Sequence, residues 1–249
     1  MAAALAAALA LLLSAQQPAF TVVLDPGHGG DRDGALSPDG DKEKDVVLAI
    51  SRRIAQRVRK AGGKVIFTRT GDIAVPLPNR AAIATAIRAD LFVSVHLNSM
   101  PTPEARRHTQ GIETYFLSAD ASDTHASAVA ARENADRLAG EPEADPNDPV
   151  AGILNDLQDA DALQASSRLA YDIHEQLVRK LGAEDRGVKQ APFYVLAGAR
   201  MPAVLLEVGF ISHADEGKKL KTRDYQEKVA EAVVDGIRTF RSETRHARR

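Results

Sequence analysis

Apolar runs alternating with helix-period segments predict an α/β fold: a single domain with a six-stranded, mostly parallel or mixed sheet, helices on both faces, and a helical, acidic insert. Three observations carry that prediction. Several runs, among them "LFVSVHLN" and "PAVLLEVGF", are apolar almost throughout, as strands buried on both faces are. The segments between them place apolar residues at helical spacing. The 249 residues suffice for one such domain with a substantial core.

The elements follow in order. "FTVVLD", starting at Phe20, reads as the first strand. In "KDVVLAISRRIAQRVRKAG", Val46, Val47, Ile50, Ile54 and Val58 share a helix face, and Gly62-Gly63 stops the helix. "KVIFTRT" is a second strand. Asn79 is expected to cap a helix over residues 81–89. "LFVSVHLN" is the third strand, and the alternating "GIETYFL" is a fourth, at or near an edge. "APFYVL" and "PAVLLEVGF" complete the six. A last helix is expected over residues 225–240, followed by a basic, frayed tail at 241–249.

Residues 1–15, "MAAALAAALALLLSA", are too short an apolar run to span a bilayer comfortably and read as the core of a secretory signal. Residues 1–19 are therefore set aside as signal peptide and leader. The chain is expected to be exported to the periplasm, cell envelope or exterior, without a stable membrane span. The domain then occupies residues 20–240, and no internal repeat divides it. Residues 118–161 break the pattern: an Ala-rich, helix-compatible front, "THASAVAARENADRLAG", runs into the Pro-rich, acidic "GEPEADPNDP". Long excursions of this kind are either solvated loops or lids.

Composition narrows the chemistry. Lys and Arg (32) nearly balance Asp and Glu (34), and the aromatic content is 4%, so nothing indicates a nucleic-acid surface. There are no cysteines, which excludes thiolate sites and leaves any metal to His, Asp or Glu.

His28 follows the first strand in "LDPGHGG", and His96 ends the third, so both lie at the carboxyl ends of strands, where open α/β sheets bind ligands. Glu43 opens the first helix, fifteen residues after His28, and a loop of that length can return the helix start to the same rim. Two imidazoles and one carboxylate leave the fourth position of a tetrahedral zinc open, as a catalytic zinc requires. Singly, each has a plainer reading as a turn residue, a favourable N-terminal charge or a core side chain. Glu207 is the sharpest anomaly, a carboxylate inside "AVLLEVGF". Unpaired, it would cost several kcal/mol, so it is either in an ion pair with an arginine such as Arg69 or Arg80, or a general base and acid beside a metal.

"LDPGHGG", "EKDVVLAI", "FTRTGDIAVPLPNR", "ADLFVSVHLNS", "DRGVKQAPFYVL" and "MPAVLLEVGFIS" together resemble, in order, the motif series of zinc-dependent N-acetylmuramoyl-L-alanine amidases of the amidase-3 type. The resemblance runs from Thr21 to about Phe240. It implies peptidoglycan as substrate and one zinc per chain held by His28, Glu43 and His96. It also implies that Glu207 is catalytic in cleaving the bond between N-acetylmuramic acid and L-alanine, in cell-wall remodelling or daughter-cell separation. Some cell-division relatives carry an Asp that reaches the metal two residues after the second histidine. Here that residue is Asn98, which is read as orienting substrate or supporting the loop. Lys189 and Gln190, expected before a strand, either border the groove or sit on a surface loop.

In the division amidases that the chain resembles, an extra segment covers the zinc groove until an activator displaces it. Residues 118–161 lie at that place, and Asp123, His125 and Glu133 are the candidates to take the open zinc position. The expectation is a monomer closed by its insert and opened by an activator protein. Two other readings stay open: a different zinc hydrolase of cell-wall peptides, such as a carboxypeptidase, and a wall-binding module without activity.

Overall fold

In a computed structural model the chain is described over residues 20–136 and 160–247. Residues 1–19, expected as signal peptide and leader, and the acidic rear of the expected insert, including "GEPEADPNDP", lie outside the described residues. Six strands, β1 (Thr21–Pro26), β2 (Lys64–Phe67), β3 (Leu91–Asn98), β4 (Ile112–Leu117), β5 (Asp185–Ala191) and β6 (Ala203–Phe210), form one sheet in the order β2-β1-β3-β6-β4-β5. All pairings are parallel except β4 with β6.

Seven α-helices cover the sheet among the described residues: α1 (Glu43–Lys60), α2 (Leu77–Ala86), α3 (Pro103–His108), α4 (Thr124–Asn134), α5 (Ala160–Leu181), α6 (Ala214–Leu220) and α7 (Arg223–Ala247). The faces are packed separately. Val22, Leu24, Val93, Val95, Leu206 and Val208 meet α1, α5 and α7 in one cluster. Val23, Phe92, Tyr115 and Leu205 meet α2, α4 and a short 3-10 turn in the other. β1, β3 and β6 thus bury both faces, which is why their sequences show little polar alternation.

Several boundaries differ from expectation. "APFYVL" is not a strand: β5 lies earlier, in the polar "DRGVKQA", and Tyr194–Leu196 form the 3-10 turn. β5 is a half-exposed edge, so apolar content was the wrong guide to it. β4 is second from that edge, and its antiparallel run puts Glu113 at the rim where the parallel strands end. Asn79 is not a cap, because α2 starts at Leu77 with Pro78 in its first turn, where the missing N–H costs nothing. α7 continues to Ala247, so most of the basic tail is helical. α5, a helix of 22 residues, follows the insert where none was expected.

Candidate metal centre and proton-transfer site

Polar residues of one sheet face gather at the rim formed by the ends of β1, β3 and β6 and the start of β4. His96 is paired with Glu207 across β3 and β6, and Glu207 with Glu113 across β6 and β4. Partners in register point to the same face, so His96, Glu207 and Glu113 form one row. Asn98, two residues beyond His96, extends it past an irregularity in the β3–β6 register.

His28 arrives by a different device. It adopts a left-handed backbone (φ 59°) between Gly27 and Gly29, a conformation disfavoured for a side-chain-bearing residue. Two buried guanidinium groups hold that turn. Arg80 donates to the carbonyls of Pro26 (3.0 Å) and His28 (2.9 Å) and to Asp25 (2.9 Å). Arg69 donates to the carbonyls of Pro26 (3.0 Å), Gly27 (2.7 Å) and Lys44 (2.8 Å). These arginines therefore do not pair with Glu207. Gly27 has no alternative, because a Cβ there would lie 2.4 Å from the His96 ring.

Glu43, in the first turn of α1, is anchored at both oxygens by backbone N–H groups: Leu97 donates to Oε1 (2.9 Å) and Ala35 to Oε2 (2.8 Å). His28, Glu43, His96 and Glu133 offer donor atoms that all lie within 4.8 Å of one another, and all four are buried. His28 Nε2 is 3.0 Å from Glu43 Oε1 and 3.4 Å from Glu133 Oε2; His96 Nδ1 is 3.3 and 3.0 Å from the same oxygens. Yet His28 Nε2, His96 Nδ1 and Glu133 Oε2 have no hydrogen-bond partner. Atoms this close without sound hydrogen-bond angles face a common point rather than each other. Ligands at 2.0–2.1 Å around a tetrahedral zinc would be spaced by about 3.3 Å, so the donor set fits such an ion. His28 Nδ1 meets Asp136 at 2.9 Å, the carboxylate support usual behind a metal-binding imidazole.

Electrostatics agrees with a site built for a cation. Burial opposes charge on both imidazoles, but the carboxylates prevail: Glu43 first, then Asp136, hold His28 well above the ordinary histidine value, and Glu133 lifts His96 to about 10. Glu207 is fully buried, with its pKa raised well above the carboxylate range by burial and then by the charge of Glu133. Its Oε1 is 3.5 Å from Arg132 Nη2, and its Oε2 has no partner.

Of the three insert residues considered for the fourth position, only Glu133 comes to the cluster. Asp123 instead caps α4 through the Ala126 N–H (2.7 Å) and faces Lys189 at 3.3 Å. His125 meets Glu113 (3.0 Å). Both stand at the start of α4, two turns or more from Glu133, which explains their absence. Lys189 and Gln190 lie on β5, not before a strand. Lys189 reaches Glu113 (3.4 Å), while Gln190 bonds Ser122 through its backbone.

The sequence reading missed Arg132, Asp136 and Glu113. Glu113 carried a usable signal, since it interrupts "GIETYFL" as Glu207 interrupts its strand. It accepts from Asn98 Nδ2 (2.6 Å), Tyr115 (2.9 Å) and Arg186 (3.1 Å), and burial does not prevent His125 and its other partners from lowering its pKa to about 2. Beside the cluster runs a groove of about 940 Å³, bordered by Arg32, Leu36, Met100, Arg106 and Arg132.

A metal-type donor set beside a buried carboxylate with one oxygen lacking a partner, on the rim of an α/β sheet and next to a groove, defines a hydrolase of unactivated bonds. The chain belongs to the amidase-3 family and is an N-acetylmuramoyl-L-alanine amidase, a hydrolase of peptidoglycan; the family pattern matches residues 22–239. It is 36% identical over 221 residues to the N-acetylmuramoyl-L-alanine amidase AmiA of Escherichia coli, covering 88% of this chain and 75% of the relative. The structure is similar to that of an N-acetylmuramoyl-L-alanine amidase from Clostridium difficile 630 (TM-score 0.68, 28% identity, 91% of this chain and 98% of that one). It is also similar to the catalytic domain of CwlV, an amidase from Bacillus (Paenibacillus) polymyxa (TM-score 0.67, 27% identity, 90% and 98%). Among the described residues, no helix is long and apolar enough to cross a membrane.

Proposed function

We propose that the chain is an exported, monomeric zinc amidase of wall remodelling or daughter-cell separation, closed by its own insert. His28, Glu43 and His96 would hold one zinc, and Glu207 would move the proton. The observation that supports this most directly is the convergence of four buried ligand atoms, three of which, on His28, His96 and Glu133, lack hydrogen-bond partners.

When bound, zinc supplies a Lewis acid that makes water nucleophilic near neutral pH and polarises a carbonyl. The chain supplies the rest. Glu207 Oε2, buried and without a partner, takes a proton from the attacking water and passes it to the L-alanine nitrogen as the carbon–nitrogen bond breaks. Glu43, anchored by two backbone donors, fixes the imidazoles' partner oxygen, and Asp136 fixes the ring of His28. Glu133 stands where an open zinc position would be needed, so α4 is assigned the role of lid. Displacing it is the task of an activator protein binding the insert.

Zymography on peptidoglycan, with metal analysis before and after chelation, tests the reading. Activity should vanish with the metal and return with zinc, and digested sacculi should release intact stems beginning at L-alanine. Glu207→Gln should keep its metal but lose at least about a hundredfold in rate, the usual scale for a proton-transfer group. Full activity without metal, or in that variant, would refute the assignment.

A further inference from the structure

Arg132, next to Glu133 on α4, reaches into the site as far as its neighbour does. Its Nη1 donates to Asn98 Oδ1 (3.2 Å) and to the Ser99 carbonyl (2.9 Å), and its Nη2 to Asn98 Oδ1 (3.1 Å) and Glu207 Oε1 (3.5 Å). Its Nε is bound to Glu133 Oε1 (2.9 Å). Three oxygens, from Asn98 at the end of β3, from Ser99 just after it and from Glu207 of β6, thus converge on one donor group. Asn98 and Glu207 are wholly buried. The Asn98 amide has a fixed sense, because its Nδ2 lies 2.6 Å from Glu113, an acceptor-only carboxylate when ionised, which turns Oδ1 toward Arg132. The seat therefore offers acceptors and suits a ligand rich in N–H.

Amide hydrolysis generates such a ligand at this place. Water adds its oxygen to the carbonyl carbon, the carbon–nitrogen bond breaks, and the nitrogen takes up protons to leave as an ammonium, while the acyl half leaves as a carboxylate. We propose that Asn98 Oδ1, the Ser99 carbonyl and Glu207 form the seat of the leaving L-alanine nitrogen, and that Arg132 and Glu133 close the enzyme by imitating its two products. Glu133 presents a carboxylate to the two-histidine cluster, and Arg132 presents a cation to the acceptors beside the proton donor. The inference rests on the amidase reading above and adds to it a binding site for the amine. In this scheme Asn98 is catalytic, since it touches the reacting nitrogen, and Glu113 is a positioning residue that acts through Asn98.

The experiment uses the full chain carrying Arg132→Ala and Glu133→Ala, which vacates both positions, in metal-free form so that an amine cannot bind zinc instead. The probes are a synthetic peptide beginning with L-alanine and its N-acetylated twin, and calorimetry reads their affinities. The free amine should bind about tenfold tighter or more, the worth of a charge-assisted hydrogen bond. Asn98→Leu in that background should abolish the preference. If Asn98→Leu fails to fold by circular dichroism, Glu113→Gln is read instead: it frees the amide to turn and should weaken the preference. No preference in the vacated protein, or one unchanged by the variant that is read, overturns the proposal. Sacculus digestion by the same doubly substituted chain, loaded with zinc, separates the two levels. Stems released with a free L-alanine amine but no amine preference would sink only this inference, whereas absence of such stems would sink the amidase reading.

Discussion

At the scale of single residues, backbone carbonyls determine the geometry as much as charged groups do. His28 occupies a left-handed turn that no local preference would select, and Arg69 and Arg80 hold it by satisfying the carbonyls it exposes. Asp25, buried among Arg80, Thr68 and Ser94, balances part of that charge. The ring of His96 then closes over Gly27, where no side chain fits. Gly27→Ala should therefore displace His96 and weaken zinc binding by about 10- to 100-fold, the range seen when ligand support is lost. Competition with a chromophoric chelator measures this; unchanged affinity would show that the ring can shift without consequence.

Among the elements, α4 is the informative one. Asp123 caps its start, and Ala126, Val129 and Ala130 pack into the apolar cluster of Tyr115, Phe193 and Leu205. Its last turn carries Arg132 and Glu133 to the site. The helix is thus docked by apolar contacts at its middle and by charges at its end, and the two can be separated. Val129→Asp would bury an unpaired charge at a cost of several kcal/mol, more than one short helix gains by docking, while the sheet beneath keeps its own core. This variant should hydrolyse purified sacculi severalfold faster than the parent. A folded, zinc-loaded Val129→Asp protein with unaltered basal rate would end the lid assignment.

For the molecule as a whole, folding and metal binding are coupled through the rim. Strand β3, the turn after β1 and helices α1 and α4 each contribute an imidazole or carboxylate to one buried cluster, three of whose atoms lack a hydrogen-bond partner. A zinc held a thousandfold above its Kd would stabilise the native state by about 4 kcal/mol, or roughly 10 °C in Tm for a domain of this size. Calorimetry should show that loss after chelation and its reversal by zinc. Identical Tm values with and without metal would mean that the cluster binds none.

What the sequence determined by itself was the layered α/β plan, and it singled out His28, Glu43, His96 and Glu207 as candidates. Central strands buried on both faces leave continuous apolar runs, and a polar residue that ends or breaks such a run stands out. Glu113 stood out in the same manner but was read only as part of a strand, because nothing local says that β4 runs antiparallel and brings Glu113 level with Glu207. The choice of Glu133 over Asp123 and His125, and the presence of Arg132 and Asp136 beside the cluster, belonged to tertiary structure alone. Helical spacing lists which residues share a face of α4, but where that face lands depends on how Val129 and its neighbours dock on Tyr115 and Phe193. Phe193 lies more than sixty positions along the chain from Val129, and no pattern within the insert encodes that contact.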